Sequence, residues 1–309
     1  MPTVAFHTLG CKVNQYESEA LAEQFRQHDY QVVSFDEPAD VYVINTCTVT
    51  NVSDRKSRNL IRRAAEHDDA IVVVTGCYAQ TEPQEVAAIP GVDLVIGTQG
   101  RGRLVELIEE YRCRATTKSA QQQESQQPIV SVSDLSNRFE DLEAAGFAGR
   151  FAGRTRATLK IQEGCRQFCS YCKVPYARGP LRSMAREQVI ERAGALVQVG
   201  FKEIVLAGIH LGLYGCGSEA TSFAPAAPSG TAAPSAPLTE LVRAIIDIPG
   251  LVRLRLSSLE PMDIDEQLIR MFALPKSPLC PHVHLPLQSG DDSILKMMRR
   301  PYNTDSFRA

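Results

Sequence analysis

The sequence predicts an α/β protein of two domains, and three observations carry that reading. Its 309 residues exceed one ordinary domain of about 100 to 200 residues. Residues 1–115 alternate short apolar runs with amphipathic stretches, the pattern of strands buried on both faces of a parallel sheet and joined by helices. After an interruption the alternation resumes as four strand-then-helix units, which suggests part of a β/α barrel.

In the first domain the strands are expected at residues 4–8, 31–35, 41–45, 71–75 and 94–96, with helices over 14–28, 54–66 and 103–112. Asn14 and Glu17 open the first helix three residues apart, the spacing of a capping box. Across residues 116–153 the pattern dissolves into a polar, Gln-rich and then Gly-dotted stretch, which reads as a linker. The second domain, 154–309, pairs TLKIQ with a helix over 186–199, EIVLAG with 238–246, LVRLRLS with 264–272 and HVHLPL with 291–298. Residues 217–237 are Gly, Ala, Ser, Thr or Pro except at Glu219 and Phe223, the composition of a flexible surface insertion. The final PYNTDSFRA stops where a further helix would begin, so the barrel is expected to be incomplete.

Composition narrows the function classes. The chain is 44% hydrophobic and 22% charged, ordinary soluble values, and no run nears the roughly 18 apolar residues that a membrane span needs. Its start lacks a charged segment followed by an apolar core, so a cytoplasmic, reducing setting without disulfides and without a membrane partner is expected. The net charge of -3 hides an asymmetry: 14 Lys and Arg against 22 Asp and Glu up to residue 150, and 19 against 14 beyond it. Nine bases (Arg150, Arg154, Arg156, Lys160, Arg166, Lys173, Arg178, Arg182 and Arg186) face one acid, Glu163, which suits a phosphate-bearing partner or a carboxylate ligand as well as a solvated surface.

The nine cysteines carry the chemistry. Cys165, Cys169 and Cys172 form a Cys-x3-Cys-x2-Cys run directly after the first barrel strand, at the strand end where such barrels build active sites. Spacing alone leaves three readings open: a 4Fe-4S cluster with one iron free for a small molecule, a zinc site that borrows a donor from elsewhere, or three reduced structural thiols. Cys11, Cys47 and Cys77 each follow a predicted strand (VAFHTLGC, VYVINTC, IVVVTGC). In a parallel sheet those strand ends share one edge, so three loops can bring the sulfurs together, although a single buried cysteine is more often a small hydrophobe. Cys113, Cys216 and Cys280 are assigned no role, and His282 and His284 read as a packed or exposed pair on one strand face.

The run GCRQFCSYC, preceded by TLKIQE and followed by VPYARGPLRS, resembles the signature of the radical S-adenosylmethionine (radical SAM) methylthiotransferase family. TLGCKVNQYES, NTCTVT and GCYAQ are similar, in order, to the cysteine segments of its N-terminal domain. CKVNQYES, LKIQEGC, PYARGP and AGIHLGLYG look like its threonylcarbamoyladenosine branch rather than its isopentenyladenosine or ribosomal-protein aspartate branches. The resemblance implies an enzyme that places a methylthio group on C2 of N6-threonylcarbamoyladenosine at position 37 of tRNA. It implies a 4Fe-4S cluster on Cys165, Cys169 and Cys172 that binds S-adenosylmethionine and cleaves it reductively, and a second 4Fe-4S cluster on Cys11, Cys47 and Cys77 that presents sulfur. Tyr171, Gly208, Glu260 and Gln288 are its candidate S-adenosylmethionine contacts. A reductant such as flavodoxin or ferredoxin is implied, with the sulfur donor left open. Family members complete a six-stranded partial barrel and add a small RNA-binding domain, both beyond these residues, so a non-catalytic iron-sulfur or zinc-binding fragment is the rival expectation. Lys173 and Ala207 depart from the family's usual apolar residue and Thr without removing a ligand.

Overall fold

The structure is a computed structural model that describes residues 1–67, 69–117, 127–143, 155–217 and 236–309. Arg150, Arg154, parts of the expected linker and most of the expected insertion lie outside these residues. The chain divides into two compact units, the first built from the described parts of Met1–Ser136, Glu140–Arg150 and Tyr176–Arg178.

In the first unit, β1 (Thr3–Thr8), α1 (Lys12–Gln27), β2 (Gln31–Val33), β3 (Val41–Thr46), α2 (Asn51–Ala64), β4 (Ile71–Gly76), α3 (Cys77–Thr81), α4 (Pro83–Ala87), β5 (Leu94–Ile96), α5 (Leu104–Thr117) and β6 (Ile129–Ser131) follow in sequence. All neighbours pair in parallel, in the order β2-β1-β3-β4-β5-β6. The central strands VYVINT and IVVVTG are buried at every residue because helices cover both faces. Val41 and Val43 pack with Leu21 and Phe25 of α1 and Ile108 of α5, whereas Tyr42 and Ile44 pack with Ile61 of α2, Tyr78 of α3 and Val86 of α4. The five expected strands are present, and a sixth, β6, comes from within the stretch expected as linker. Its three residues are too short a run to carry a readable period.

The second unit comprises the described parts of Asn137–Phe139, Phe151–Pro175 and Gly179–Ala309. Its strands β7 (Ala157–Lys160), β10 (Glu203–Ala207) and β11 (Arg253–Leu256) form a parallel sheet in the order β11-β10-β7. A small antiparallel pair, β8 (Gln162–Glu163) and β9 (Arg182–Ser183), flanks the cysteine run, with α6 (Val174–Arg178) between them in sequence. Helices α7 (Arg186–Gln198), α8 (Pro237–Ile246), α9 (Glu266–Phe272) and α10 (Asp292–Met297) lie within two residues of the expected positions, and a short α11 (Thr304–Arg308) ends the chain.

The expected fourth barrel strand, HVHLPL, does not form. Pairing with β11 is limited to a parallel bridge between Leu254 and Leu279, closed by Leu254 N–H to Pro278 O at 2.7 Å and Cys280 N–H to Leu254 O at 2.8 Å. Pro281 precedes the segment and Pro286 lies within it, neither has an N–H to give a ladder, and residues 281–284 are exposed. His282 and His284 therefore do not share a strand face. His284 Nδ1 meets Ser258 Oγ at 2.6 Å instead.

Candidate functional site

Cys11, Cys47 and Cys77 follow β1, β3 and β4, three adjacent strands of the first sheet. The chain runs from β1 outward to β2 and then back to β3, so the carboxyl ends of β1 and β3 flank the topological switch point, where open α/β sheets leave a crevice for ligands. Cys11 is the N-cap of α1, Cys47 follows Thr46 directly, and Cys77 opens α3. Gly76 holds φ at +95°, and a Cβ there would fall 2.5 Å from both Asn45 Oδ1 and the Thr46 carbonyl, so only glycine lets β4 deliver Cys77 to this point. A Cβ on Gly10 would stand 3.2 Å from Cys47 Sγ, which measures how closely the β1 and β3 loops approach. Burial pushes the Cys77 thiol up to about 11, and the nearby Cys11 and Cys47 sulfurs push the same way while Arg178 opposes them. Cys47 is likewise raised by burial, with Cys11 adding to the effect. The three sulfurs thus lie within each other's fields.

Behind them is a buried polar network. Arg178 Nε donates to Cys77 Sγ at 3.2 Å, its Nη1 reaches Glu17 Oε1 at 2.6 Å, and its Nη2 donates to Asn14 Oδ1 at 2.7 Å. Asn14 Oδ1 also accepts from Cys11 Sγ at 3.3 Å, and Asn14 Nδ2 donates to the Thr46 carbonyl at 3.0 Å. Arg101 pairs with the far oxygen of Glu17 at 2.6 Å and with Glu140 at 3.4 Å. Side chains of Glu17, Arg101 and Arg178 are 0% exposed. The expected capping box is thereby corrected: α1 starts at Lys12 without a side-chain cap, because Asn14 and Glu17 are turned into this network.

The second trio sits on one loop after β8. Gly164, with φ +80°, would place a Cβ 1.8 Å from the Pro180 carbonyl, so the chain turns there only as glycine. Cys165 N–H donates to Gly179 O at 3.0 Å and Cys172 N–H to Cys169 O at 3.0 Å, which folds the loop back on itself. Burial raises the Cys172 thiol, and the nearby Cys165 and Cys169 sulfurs raise it further. Each of two sulfurs meets a cation. Arg300 Nη1 donates to Cys169 Sγ at 3.2 Å, and His210 Nδ1 lies 3.6 Å from Cys165 Sγ. His210 is buried, which alone would lower its pKa, but its bonds to Asp263 at 3.0 Å and to Cys165 outweigh burial and push it up to about 10. At neutral pH it is an imidazolium with both N–H groups donating.

The candidate S-adenosylmethionine contacts fall around this loop in different ways. Tyr171 is 49% exposed, and burial of its hydroxyl beside Cys169 raises it to about 12. Glu260 caps the 3-10 turn Pro261–Asp263 and is gripped by Arg300 Nη2. Gly208, at the end of β10, leaves room for Gln162, whose Oε1 would be 2.9 Å from a Cβ there and whose amide binds the carbonyls of Glu163 and Gly164. Gln288 is exposed, in the left-handed region at φ +65°. Sequence reasoning missed Asn14, Glu17, Arg101 and Arg178 behind the first trio and Gln162, His210, Asp263 and Arg300 around the second. The available signal, for Asn14 and Glu17, was their place inside the cysteine motif CKVNQYE.

Among the described residues no three Cys, His, Asp or Glu side chains are arranged as they stand to share one metal ion. Three thiols in each set suit a cubane, which takes each thiolate on a different iron. All six cysteines are free thiols, and the N–H donors on Cys77 and Cys169 suit sulfur that bears negative charge.

Two family models match the chain: residues 3–97 match the uncharacterized protein family UPF0004, and residues 159–309 match the radical SAM superfamily. A Bacillus subtilis protein named threonylcarbamoyladenosine tRNA methylthiotransferase MtaB is 46% identical, covering 99% of this chain and 62% of its own length. Its Aquifex aeolicus namesake is 40% identical over 98% of this chain and 67% of its own. A tRNA-2-methylthio-N(6)-dimethylallyladenosine synthase of Akkermansia muciniphila is 31% identical over 99% of this chain and 66% of its own. Among solved structures, a radical S-adenosylmethionine methyltransferase, TsrM, from Kitasatospora setae aligns with a TM-score of 0.62 at 15% identity, covering 99% of this chain and 65% of that one, a likeness of fold. The chain therefore belongs to the radical SAM methylthiotransferase family. It spans 62 to 67% of the length of those three curated relatives.

Proposed function

We propose that this chain carries the catalytic part of a tRNA methylthiotransferase that acts on C2 of N6-threonylcarbamoyladenosine at position 37. What supports the reading is that Cys11, Cys47 and Cys77 follow three adjacent strands while Cys165, Cys169 and Cys172 share one loop, with Arg178 donating to Cys77 and Arg300 to Cys169. The substrate is taken from the relatives that bear that name at 46% and 40% identity, against 31% for the dimethylallyladenosine synthase.

On this reading Cys165, Cys169 and Cys172 hold the 4Fe-4S cluster that faces S-adenosylmethionine, and Cys11, Cys47 and Cys77 hold an auxiliary one that presents sulfur. When bound, the clusters supply the electron for cleaving S-adenosylmethionine and the sulfur for transfer, since side-chain acids and bases give only about 10²- to 10⁴-fold and cannot activate an aromatic C–H. The protein's own groups do the holding. Arg178 fixes Cys77 while Glu17 and Asn14 fix Arg178; Arg300 fixes Cys169 and Glu260 together; His210, oriented by Asp263, donates to Cys165. Gln162 ties the end of β8 to the loop after β10 through its bonds to Gly164 O and His210 N–H. Tyr171, Gly208, Glu260 and Gln288 are the proposed S-adenosylmethionine contacts. The electron comes from a one-electron protein reductant of the flavodoxin or ferredoxin type in the cytoplasm. No helix among the described residues is long and apolar enough to cross a membrane.

The test is mass spectrometry of tRNA nucleosides from cells that lack the gene and are complemented with the natural gene or its Cys47→Ala form. The reading predicts that 2-methylthio-N6-threonylcarbamoyladenosine disappears with the gene, returns with the natural sequence and stays absent with the variant. An unchanged level in the deletion strain would refute it, and loss of a methylthiolated isopentenyladenosine instead would reassign the substrate.

A further inference from the structure

Helix α2 breaks the acidic balance of the first half of the chain. Residues 1–150 hold 14 bases against 22 acids, yet α2 alone carries Arg55, Lys56, Arg58, Arg62 and Arg63 with Asp54 as its one acid. Asp54 is buried. At 100° per residue, Val52, Arg55, Lys56, Asn59, Arg62 and Arg63 fall on one side of the helix, and all six are exposed. Arg58 is turned inward to Tyr78 Oη at 2.9 Å, and Arg63 pairs with Asp36. Arg55, Lys56 and Arg62 have no acidic partner among the described residues. A helix face that only needs solvation usually sets Glu four residues from Lys or Arg; here Arg58 and Arg62 are like charges at that spacing, which costs a few tenths of a kcal/mol.

The face is also well placed. α2 begins four residues after Cys47 and is tied to it, Ser57 Oγ donating to the Cys47 carbonyl at 3.4 Å. Val49 and Val52, 57% and 53% exposed, fall in sequence between Cys47 and the basic row. Arg55 to Arg62 spans about 10 Å at 1.5 Å per residue, long enough to face more than one phosphate of a single strand.

We propose that this face of α2 binds the sugar-phosphate backbone of the tRNA substrate beside the first cysteine trio, an inference that rests on the tRNA reading above. The contacts are to phosphate, so they position RNA without reading its sequence.

The test measures binding of the chain to a synthetic anticodon stem-loop by fluorescence anisotropy across a salt titration. The natural chain is compared with the triple variant Arg55→Gln, Lys56→Gln, Arg62→Gln and with a control, Arg26→Gln, Arg103→Gln, Arg270→Gln, that removes three exposed bases already paired with acids on their own helices or turns. The proposal predicts at least a tenfold loss at low salt for the α2 variant and a log-log salt slope shallower by about 2 to 3, from roughly 0.7 to 0.9 per phosphate. Circular dichroism and iron content of that variant should match those of the natural chain, and the control should bind RNA as the natural chain does. Equal affinity and slope for the α2 variant, or an equal loss in the control, would overturn the α2 assignment while leaving the tRNA reading intact. If the natural chain itself fails to bind the stem-loop, the tRNA reading falls and this inference with it.

Discussion

The two sets of three cysteines are placed by opposite routes. The second is assembled by one loop of eight residues, Cys165 to Cys172, whose own backbone bonds and a single glycine turn set the geometry. The first gathers residues 66 positions apart from the ends of three strands, so its geometry is a property of the whole sheet and of the buried Asn14–Glu17–Arg101–Arg178 network beneath it. A local site should be disabled by local changes alone. A distributed one should respond to any change that shifts the sheet or its polar floor, including changes at residues that touch no metal.

The largest contrast should come from Cys169→Ala, which removes a sulfur without touching the first unit. It is expected to abolish reductive cleavage of S-adenosylmethionine, measured by product chromatography under anaerobic conditions, with the iron on the first trio retained. Next is Arg178→Met. Removing one of its two arginines leaves the buried Glu17 with Arg101 alone, and unfolding of the cluster-free chain in urea should show a loss near the lower end of the about 3 to 5 kcal/mol that breaking a buried pair costs, with Arg178→Lys falling between. Iron loading on the first trio should drop in parallel, whereas a peripheral Arg178 would give neither effect. Gly76→Ala should cost roughly 1 to 3 kcal/mol from the left-handed backbone alone, and more from the contact with Asn45 and Thr46, read as a fall in thermal midpoint.

The smallest effect is a pH dependence in the second unit. His210 has its folded pKa raised from 6.5 to about 10, so the stability it contributes is complete below pH 6.5 and is lost as pH rises through that window, at a slope of order 1 kcal/mol per unit. Denaturation of the cluster-free chain at pH 6, 8 and 10 should show this decline. His210→Gln should flatten it, and an NMR signal that titrates near pH 6.5 and is lost in His210→Gln would contradict the assignment.

The same contrast explains what the sequence disclosed. Cys165, Cys169 and Cys172 were legible from spacing because the loop carries its geometry locally. The first trio was legible only through topology: three strand ends share an edge in a parallel sheet, a deduction that TLGC, INTC and VTGC allow but do not force. Arg178 was not legible, since nothing local marks a base 161 residues from Glu17 as its partner, and the nine bases of residues 150–186 read equally well as surface. Asn14 and Glu17 were misread for a physical reason. Capping-box spacing is common, and tertiary burial took both side chains for the network. The alternation in HVHLPL does not make a fourth barrel strand, because Pro281 before it and Pro286 within it have no N–H groups to give and the ladder ends at Cys280.

The most direct measurement is the iron and zinc content of the anaerobically reconstituted chain, taken for the natural sequence and for two triple variants, one replacing Cys11, Cys47 and Cys77 with Ala and the other Cys165, Cys169 and Cys172. Two independent cubanes predict about eight irons in the natural chain and about four in each variant, with no zinc retained. About four irons in the natural chain that persist when residues 11, 47 and 77 are replaced, or one zinc in place of iron, would contradict the account.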